Sequence, residues 1–201
     1  GNADDNYIYC SKDGDFVEFG KRPKGQGKRT DIDVVKEMVI DGIGMKDIVM
    51  ECSSFQALRF AEKMKYYVEP KRDWVTNVYW FYGSTGTGKT REALERFPDA
   101  WISGRNLKWW QGYDAHSEVI IDDFRCDFCT FHELLRILDR YPYSVEVKGG
   151  SRQLLARNIV ITAPKHPLLM FEHRTEEDIN QLLRRITSIE NFDTKVNGTE
   201  V

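Results

Sequence analysis

The chain has 201 residues, of which 41% are hydrophobic and 30% are charged, and its formal net charge at pH 7 is −3. This length allows one full domain and a smaller one, and the composition is that of an ordinary soluble protein. The charge gives no global signature of nucleic-acid binding, and no apolar run approaches the roughly 18 residues that a membrane-spanning helix needs.

The start of the chain and its cysteines indicate its setting. The sequence begins with neither methionine nor a signal peptide, so we expect it to be a fragment of a longer protein. Four cysteines do not make a disulfide framework in a chain of this size, which favours a reducing compartment, the cytosol or the nucleus.

Residues 1–20 contain two short segments with the character of strands, at 7–10 and 16–19, separated by a turn. Residues 21–29 are basic and rich in Pro and Gly, and such a segment forms neither a helix nor a central strand. It predicts a flexible linker, and the alternatives are contact with nucleic-acid phosphates or a nuclear-import signal.

Residues 30–72 predict a small group of helices. Ser53 and Gln56 have the spacing of a capping box at the start of one helix. A second apolar stripe around Phe60 and Met64 leaves hydrophobic surface uncovered, so this region is either a packing subdomain or a self-association surface. The first apolar face is formed by Ile32, Val35, Met38 and Val39.

Residues 73–201 predict an α/β domain with a buried parallel sheet, because short apolar strands alternate with amphipathic helices. Thr130 with Glu133 forms a capping box for one helix, and Thr175 caps another. The predicted strands are 77–82, 100–102, 118–122 and 158–162.

Residues 83–90 match the phosphate-binding loop, in which a glycine and four residues precede Gly-Lys-Thr. Glycines let successive backbone N–H groups converge on the phosphates of a nucleotide, while Lys89 contacts the β- and γ-phosphates and Thr90 holds Mg²⁺. The alternative is a Gly-rich turn with a solvated lysine, but a strand before the loop and a helix after it favour a nucleoside triphosphate. The loop consists of Gly83, Ser84, Thr85, Gly86, Thr87, Gly88, Lys89 and Thr90.

Two acids follow the apolar strand at 118–122. Asp122 is positioned to reach the outer shell of the metal, and Asp123 to polarise an attacking water. Paired acids at a strand end can also be a solvated terminus, but the preceding phosphate-binding loop favours the catalytic interpretation.

A Lys-Gly-Gly sequence at 148–150 lies between two segments of alternating character and predicts a hairpin. Its tip is either simply solvated or, in a ring-shaped motor, presents Lys148 and Arg152 to a phosphate backbone without reading sequence.

The order of loop, acid pair, Lys-Gly-Gly hairpin and apolar strand resembles the superfamily 3 helicase core. More narrowly, the chain resembles the replication initiators (Rep) of circoviruses and related small circular single-stranded DNA viruses. The signatures that carry this resemblance lie at 71–74, 108–113, 121–124, 139–142 and 184–186.

The resemblance implies an AAA+-like P-loop NTPase fold for residues 73–201, preceded by an all-α oligomerisation subdomain at 30–72. It implies ATP and Mg²⁺ as cofactors, single-stranded DNA as partner, a homo-hexamer, no membrane partner, and location in the host cell nucleus. We therefore expect an ATP-dependent DNA helicase that works in rolling-circle replication.

Residues 1–20 resemble the end of the endonuclease domain that precedes the helicase in this family. Tyr9 and Lys12 match its Tyr-x-x-Lys motif, in which the tyrosine nicks DNA and stays attached to the 5′-phosphate. The chain has no His-hydrophobe-His metal motif, so we expect Tyr9 to be the nucleophile of the longer protein and inert in this fragment.

The chain departs from the family after the strand at 158–162, where Ala163 and Pro164 replace a polar pair that senses the γ-phosphate. Thr162 or a neighbouring polar group is expected to take over this role. Arg184 and Arg185 are candidates for an arginine finger that reaches the site of an adjacent subunit, although such arginines are often surface charges.

Two other functions remain open on the sequence. A P-loop kinase or non-translocating ATPase requires no stimulation by DNA. A nucleotide-binding assembly module forms a ring with negligible hydrolysis.

Overall fold

The structure is a computed structural model that describes residues 3–15, 17, 19–20 and 29–196. The chain divides into two compact units, Gly1–Ala61 and Glu62–Val201. None of the described helices is long and apolar enough to cross a membrane.

The first unit is helical. Its elements are α1 (Ala3–Cys10), α2 (Thr30–Ile40), α3 (Met45–Glu51) and the first half of α4 (Phe55–Val68). Val35 and Val39 of α2 are buried, which confirms the predicted face of this helix, and Ile48 of α3 is also buried.

Two predictions in this unit are wrong. Residues 7–10 are part of α1 rather than a strand, and no strand among the described residues pairs with them. Helix α4 begins at Phe55, so its cap is Ser54, whose hydroxyl accepts the N–H of Ala57 at 3.4 Å, and not Ser53. Gln56, the expected partner of Ser53, instead accepts a hydrogen bond from Arg29.

Parts of two other predicted segments lie outside the described residues. The predicted strand at 16–19 includes Phe16 and Glu18, which lie outside the described residues. The predicted linker at 21–29 lies outside them too, except for Arg29.

The second unit is built on a five-stranded parallel sheet with the order β2-β3-β6-β1-β7. A separate antiparallel hairpin joins β4 to β5. The strands are β1 (Asn77–Tyr82), β2 (Trp101–Ile102), β3 (Glu118–Ile121), β4 (Ser144–Val147), β5 (Gly150–Gln153), β6 (Asn158–Ala163) and β7 (Ser188–Asn191). The helices are α5 (Lys89–Arg96), α6 (Phe131–Ile137), α7 (Pro167–Met170), α8 (Glu176–Leu183) and α9 (Phe192–Val196).

The predicted strands and caps of this unit are confirmed to within about one residue at each end. Thr130 and Glu133 form the complete capping box of α6, and the hydroxyl of Thr175 accepts the N–H of Asp178 in α8. The edge strand β7 was not predicted, since it has only one apolar residue, Ile189, and each of its residues is half-buried.

The sheet separates two hydrophobic clusters. Successive residues of a strand face opposite sides, so Trp80 and Phe81 of β1 lie in different clusters, and both are fully buried. Burial of one such aromatic side chain contributes about 1.5–3 kcal/mol. The smaller cluster joins Phe81 to Ala93 of α5 and Phe192 of α9, and it therefore fixes the elements around the phosphate-binding loop.

The buried side chain of Arg72 caps the C-terminal end of α6. Its side chain is fully buried and donates hydrogen bonds to the carbonyls of Arg136 (3.0 Å), Ile137 (2.8 Å) and Tyr141 (3.0 Å). These carbonyls include two at the C-terminal end of the helix, which have no partner within it. Burial lowers the pKa of Arg72 to about 10, so the guanidinium stays charged at neutral pH.

We expect Arg72→Ala to lower the free energy of unfolding by about 3 kcal/mol, because it leaves buried carbonyls unsatisfied. Denaturation by urea measures this loss. The control is Arg140→Ala, which removes an exposed arginine from the same segment and should change stability by less than about 0.5 kcal/mol. Equal stabilities of the two variants would contradict the assigned role of Arg72.

Candidate nucleotide site

The predicted loop lies between β1 and α5, which is the strand–loop–helix context of a phosphate-binding loop. Gly86 and Gly88 have φ values of 86° and 84°, in the left-handed region that residues with a Cβ rarely adopt. Gly88 is the N-cap of α5, so the helix begins at Lys89 with its first N–H groups directed toward the loop. With the parallel sheet, this arrangement makes the unit a P-loop NTPase fold.

The ammonium group of Lys89 lies inside the loop. Its Nζ donates hydrogen bonds to the carbonyls of Gly83 (2.8 Å) and Ser84 (2.6 Å) and to the hydroxyl of Thr87 (3.3 Å). The loop therefore holds a positive charge at its centre, where the sequence predicts that phosphates bind.

Asp122 lies at the carboxyl end of β3 and contacts Thr90 directly. Its Oδ1 accepts hydrogen bonds from the hydroxyls of Thr90 (2.7 Å) and Thr162 (2.8 Å), while its backbone N–H donates to Ser103 Oγ (3.1 Å). The two residues predicted to hold the metal are thus brought together. Their hydroxyl and carboxylate oxygens fit Mg²⁺, which binds through one or two carboxylates and keeps most of its shell for water and phosphate.

Asp123 has a left-handed backbone conformation, with φ at 47°. Such a conformation costs free energy in a non-glycine residue and persists where its surroundings hold it. Here the N–H of Asp123 donates to Thr162 Oγ1 (2.8 Å), and the next N–H, that of Phe124, donates to the Thr162 carbonyl (2.8 Å). The carboxylate is 68% exposed and pairs with Arg125 at 2.7 Å, so solvent water reaches it.

The position of Thr162 differs from the one expected of a γ-phosphate sensor. The side chain is buried, and its hydroxyl accepts the N–H of Asp123 while donating to the carboxylate of Asp122. A hydroxyl has one hydrogen to donate, and Thr162 already donates it to Asp122, so it has none to donate to a phosphate oxygen. Thr162 therefore holds Asp122 and Asp123 in position from the buried side of the acid pair.

The two candidate arginines have different surroundings. Arg185 donates to Asp139 Oδ2 from Nη2 (2.6 Å) and Nε (3.2 Å), and to the carbonyl of Gln181 (2.6 Å). Arg184, the C-cap of α8, is exposed. Of the two side chains, that of Arg184 is therefore the one that solvent reaches freely.

The hairpin residues also differ. Lys148 is exposed at the tip between β4 and β5, as predicted. Arg152 is only 6% exposed, and it pairs with Glu69 (Nε–Oε1, 2.8 Å) and with Asp114 (Nη2–Oδ1, 2.6 Å). The expectation that Arg152 contacts a DNA backbone is therefore wrong, because this position of β5 faces the interior rather than solvent. Lys65 of α4 completes the cluster at 3.9 Å from Asp114.

Tyr9 lies on α1 and is 75% exposed. The His residues of the chain are His116, His132, His166 and His173, far downstream in sequence. Among the described residues there is no group of three or more His, Cys, Asp or Glu that could hold a metal ion. The role of Tyr9 in a longer protein remains a prediction.

Two residues of the site, Ser103 and Asp193, are not predicted from the sequence. Ser103 follows β2, and a parallel sheet places the residues after each strand at one edge, so this rule could have identified it. Asp193 accepts the N–H of Ser84 at 2.8 Å, but it follows β7, whose weak strand pattern gave no signal.

Comparison with known proteins agrees with this geometry. A family model described as RNA helicase matches residues 79–163, which include the loop and the acid pair. The replication-associated protein of Goose circovirus is 35% identical over 191 residues, which cover 92% of this chain and 63% of that protein. The replication-associated protein of Human associated cyclovirus 1 is 33% identical over 198 residues, which cover 92% of this chain and 69% of that protein.

Among solved structures, the S. cerevisiae Hsp104:casein complex in its extended conformation has a TM-score of 0.36 to this chain. It is 15% identical and covers 83% of this chain and 36% of the Hsp104 chain. A similarity of this size does not establish a shared fold. The fold assignment depends instead on the strand order and on the loop between β1 and α5.

We expect Arg185→Ala to lower the free energy of unfolding at pH 7 by about 1 kcal/mol, since it removes a half-buried ion pair. Arg184→Ala is the matched control and should change it by less than about 0.5 kcal/mol. Urea denaturation of both variants measures the difference.

The stabilisation by the Arg185–Asp139 ion pair should depend on pH. Burial raises the pKa of Asp139, but hydrogen bonds from Arg185 and from the N–H of Arg140 outweigh it and hold the pKa below its ordinary value. The stabilisation by the ion pair is therefore complete above pH of about 4 and is lost as the pH falls through the lower pKa of the folded state. A difference between the variants that grew at acid pH would contradict this assignment.

Proposed function

The chain belongs to the family of viral replication-associated proteins that includes those of circoviruses and cycloviruses, and on this premise we propose that it is the ATP-driven DNA helicase part of a rolling-circle replication initiator. The observation that carries the proposal is the contact between Thr90 of the loop and Asp122 of the acid pair. This contact brings together the loop, to which we assign the phosphates, and the acid pair, to which we assign the metal ion.

The residues of the site have distinct roles in ATP hydrolysis. The loop amides and Lys89 bind the phosphates, and the hydroxyl of Thr90 and the carboxylate of Asp122 hold Mg²⁺. When bound, Mg²⁺ neutralises charge on the β- and γ-phosphate oxygens. Asp123, whose carboxylate is exposed to solvent, orients the attacking water.

Movement on DNA requires parts from more than one subunit. We assign Lys148 at the hairpin tip to the phosphate backbone of single-stranded DNA, a contact that carries no sequence information. Arg184 is the candidate for the arginine finger that completes the site of an adjacent subunit, because Arg185 is engaged by Asp139. These assignments correspond to a homo-hexameric ring.

The activities of the longer protein belong to the same proposal. Its endonuclease would nick DNA with Tyr9 and rejoin it, and its place of action would be the host cell nucleus. The metal site for nicking would have to come from residues outside this chain, because no His precedes His116.

The first test is steady-state ATP hydrolysis with and without single-stranded DNA. We expect hydrolysis to rise with DNA, and Lys89→Ala to reduce it on the order of 100-fold in both conditions, because this ammonium group stabilises charge on the transferred phosphate. Thermal unfolding of the variant without nucleotide checks that it is folded.

Two outcomes of this test contradict the proposal. Hydrolysis that depends on Lys89 and is indifferent to DNA indicates a non-translocating ATPase. Nucleotide binding that depends on Lys89, together with ring formation and negligible hydrolysis, indicates an assembly module.

The second test concerns Thr162. We expect Thr162→Val to reduce kcat for ATP hydrolysis by about 10- to 100-fold, because both acids lose the hydroxyl that positions them. The dissociation constant for ADP should change by less than about threefold, since the loop is intact. Thr162→Ser keeps the hydroxyl and should retain most of the activity. If Thr162 instead contacted the γ-phosphate, the valine variant would bind an uncleavable ATP analogue much more weakly than ADP.

A further inference from the structure

The segment that follows β7 is anchored beside the phosphate-binding loop. Phe192 is buried, and its ring centroid lies 5.0 Å from that of Phe81 on β1. Glu190 of β7 accepts hydrogen bonds of 2.8 and 2.9 Å from the guanidinium of Arg96 at the end of α5. Phe192 thus ties the start of α9 to the strand before the loop, and Glu190 ties β7 to the helix after it.

Asp193 lies in this segment, directly against the first residues of the loop. Its Oδ1 accepts the backbone N–H of Ser84 at 2.8 Å, and its own N–H donates to Asn191 Oδ1 at 2.9 Å. A Cβ on Gly83 would lie 3.1 Å from both the backbone N and Oδ1 of Asp193. The carboxylate can approach the loop this closely because residue 83 is a glycine and has no side chain.

The electrostatics of this contact involve Lys89. The N–H of Ser84 donates to the carboxylate of Asp193, and the carbonyl of Ser84 accepts from the ammonium group of Lys89 at 2.6 Å. The backbone of Ser84 therefore lies between a negative and a positive charge. The hydrogen bonds from Ser84, and to a lesser extent the charge of Lys89, lower the pKa of Asp193. The carboxylate is therefore negative at neutral pH.

We propose that Asp193 is a positioning residue of the phosphate-binding loop, and that its negative charge weakens the binding of phosphate anions to that loop. The inference rests on the proposed nucleotide site. Its two parts act in opposite directions. The hydrogen bond to Ser84 holds the loop in a conformation ready for phosphates, which favours binding. The charge repels the same phosphates, which opposes binding.

Two substitutions separate these effects. Asp193→Asn removes the charge but keeps an oxygen that can accept the N–H of Ser84, so the dissociation constant for ADP should fall by about threefold. Asp193→Ala removes the acceptor as well, so the dissociation constant should rise by about tenfold. Isothermal titration calorimetry measures both. The gain in Asp193→Asn should shrink between 0.05 and 0.5 M salt, because it is electrostatic.

A second readout requires no nucleotide. Amide hydrogen exchange of the loop peptide should be about tenfold faster in Asp193→Ala than in the unmodified chain, and nearly unchanged in Asp193→Asn. Glu95→Gln is the matched charge control, since it removes one negative charge from an exposed position of α5 and should change neither exchange nor ADP binding.

The outcomes that overturn the inference are distinct from those that overturn the site. Unchanged exchange in Asp193→Ala overturns the positioning role, and equal or weaker ADP binding by Asp193→Asn overturns the role of the charge. Lys89→Ala is measured in parallel. If it binds ADP as well as the unmodified chain does, the nucleotide site itself is wrong.

Discussion

The central position of β6 in the sheet is the constraint on which the site depends. It lies between β1 and β3, with Thr162 opposite Phe81 and Ile161 opposite Ile121. Parallel strands end at the same edge, so this register places Thr162 between the start of the loop and the acid pair. From this position the hydroxyl of Thr162 contacts both acids.

The hydroxyl of Thr162 holds both acids of the candidate site in place. One oxygen atom accepts from the backbone of Asp123 and donates to the carboxylate of Asp122. The first bond holds a left-handed residue whose conformation is otherwise unfavourable, and the second fixes the carboxylate that Thr90 also contacts. The geometry of the candidate metal site therefore depends on a residue that is itself buried.

The sequence was sufficient for features with a local chemical cause. The loop, the four apolar strands and the caps at Thr130 and Thr175 each depend on residues close together in the chain, and all are found. The sequence was insufficient where the position of a side chain depends on residues that are distant in the chain. The burial of Arg152 depends on Glu69 and Asp114, and the contact of Asp193 with the loop depends on an edge strand of weak pattern. Periodicity carries no information about such pairings.

The cluster of Lys65, Glu69, Asp114 and Arg152 has a mechanical consequence for the hairpin. Removing one partner from a buried group of charges costs about 3–5 kcal/mol, so Arg152 does not leave its carboxylates readily. These ion pairs therefore hold β5, the strand that carries Arg152, firmly against the end of α4. The hairpin is stiff at this position. Lys148, which is exposed at the tip of this hairpin, therefore moves with the second unit and not independently of it.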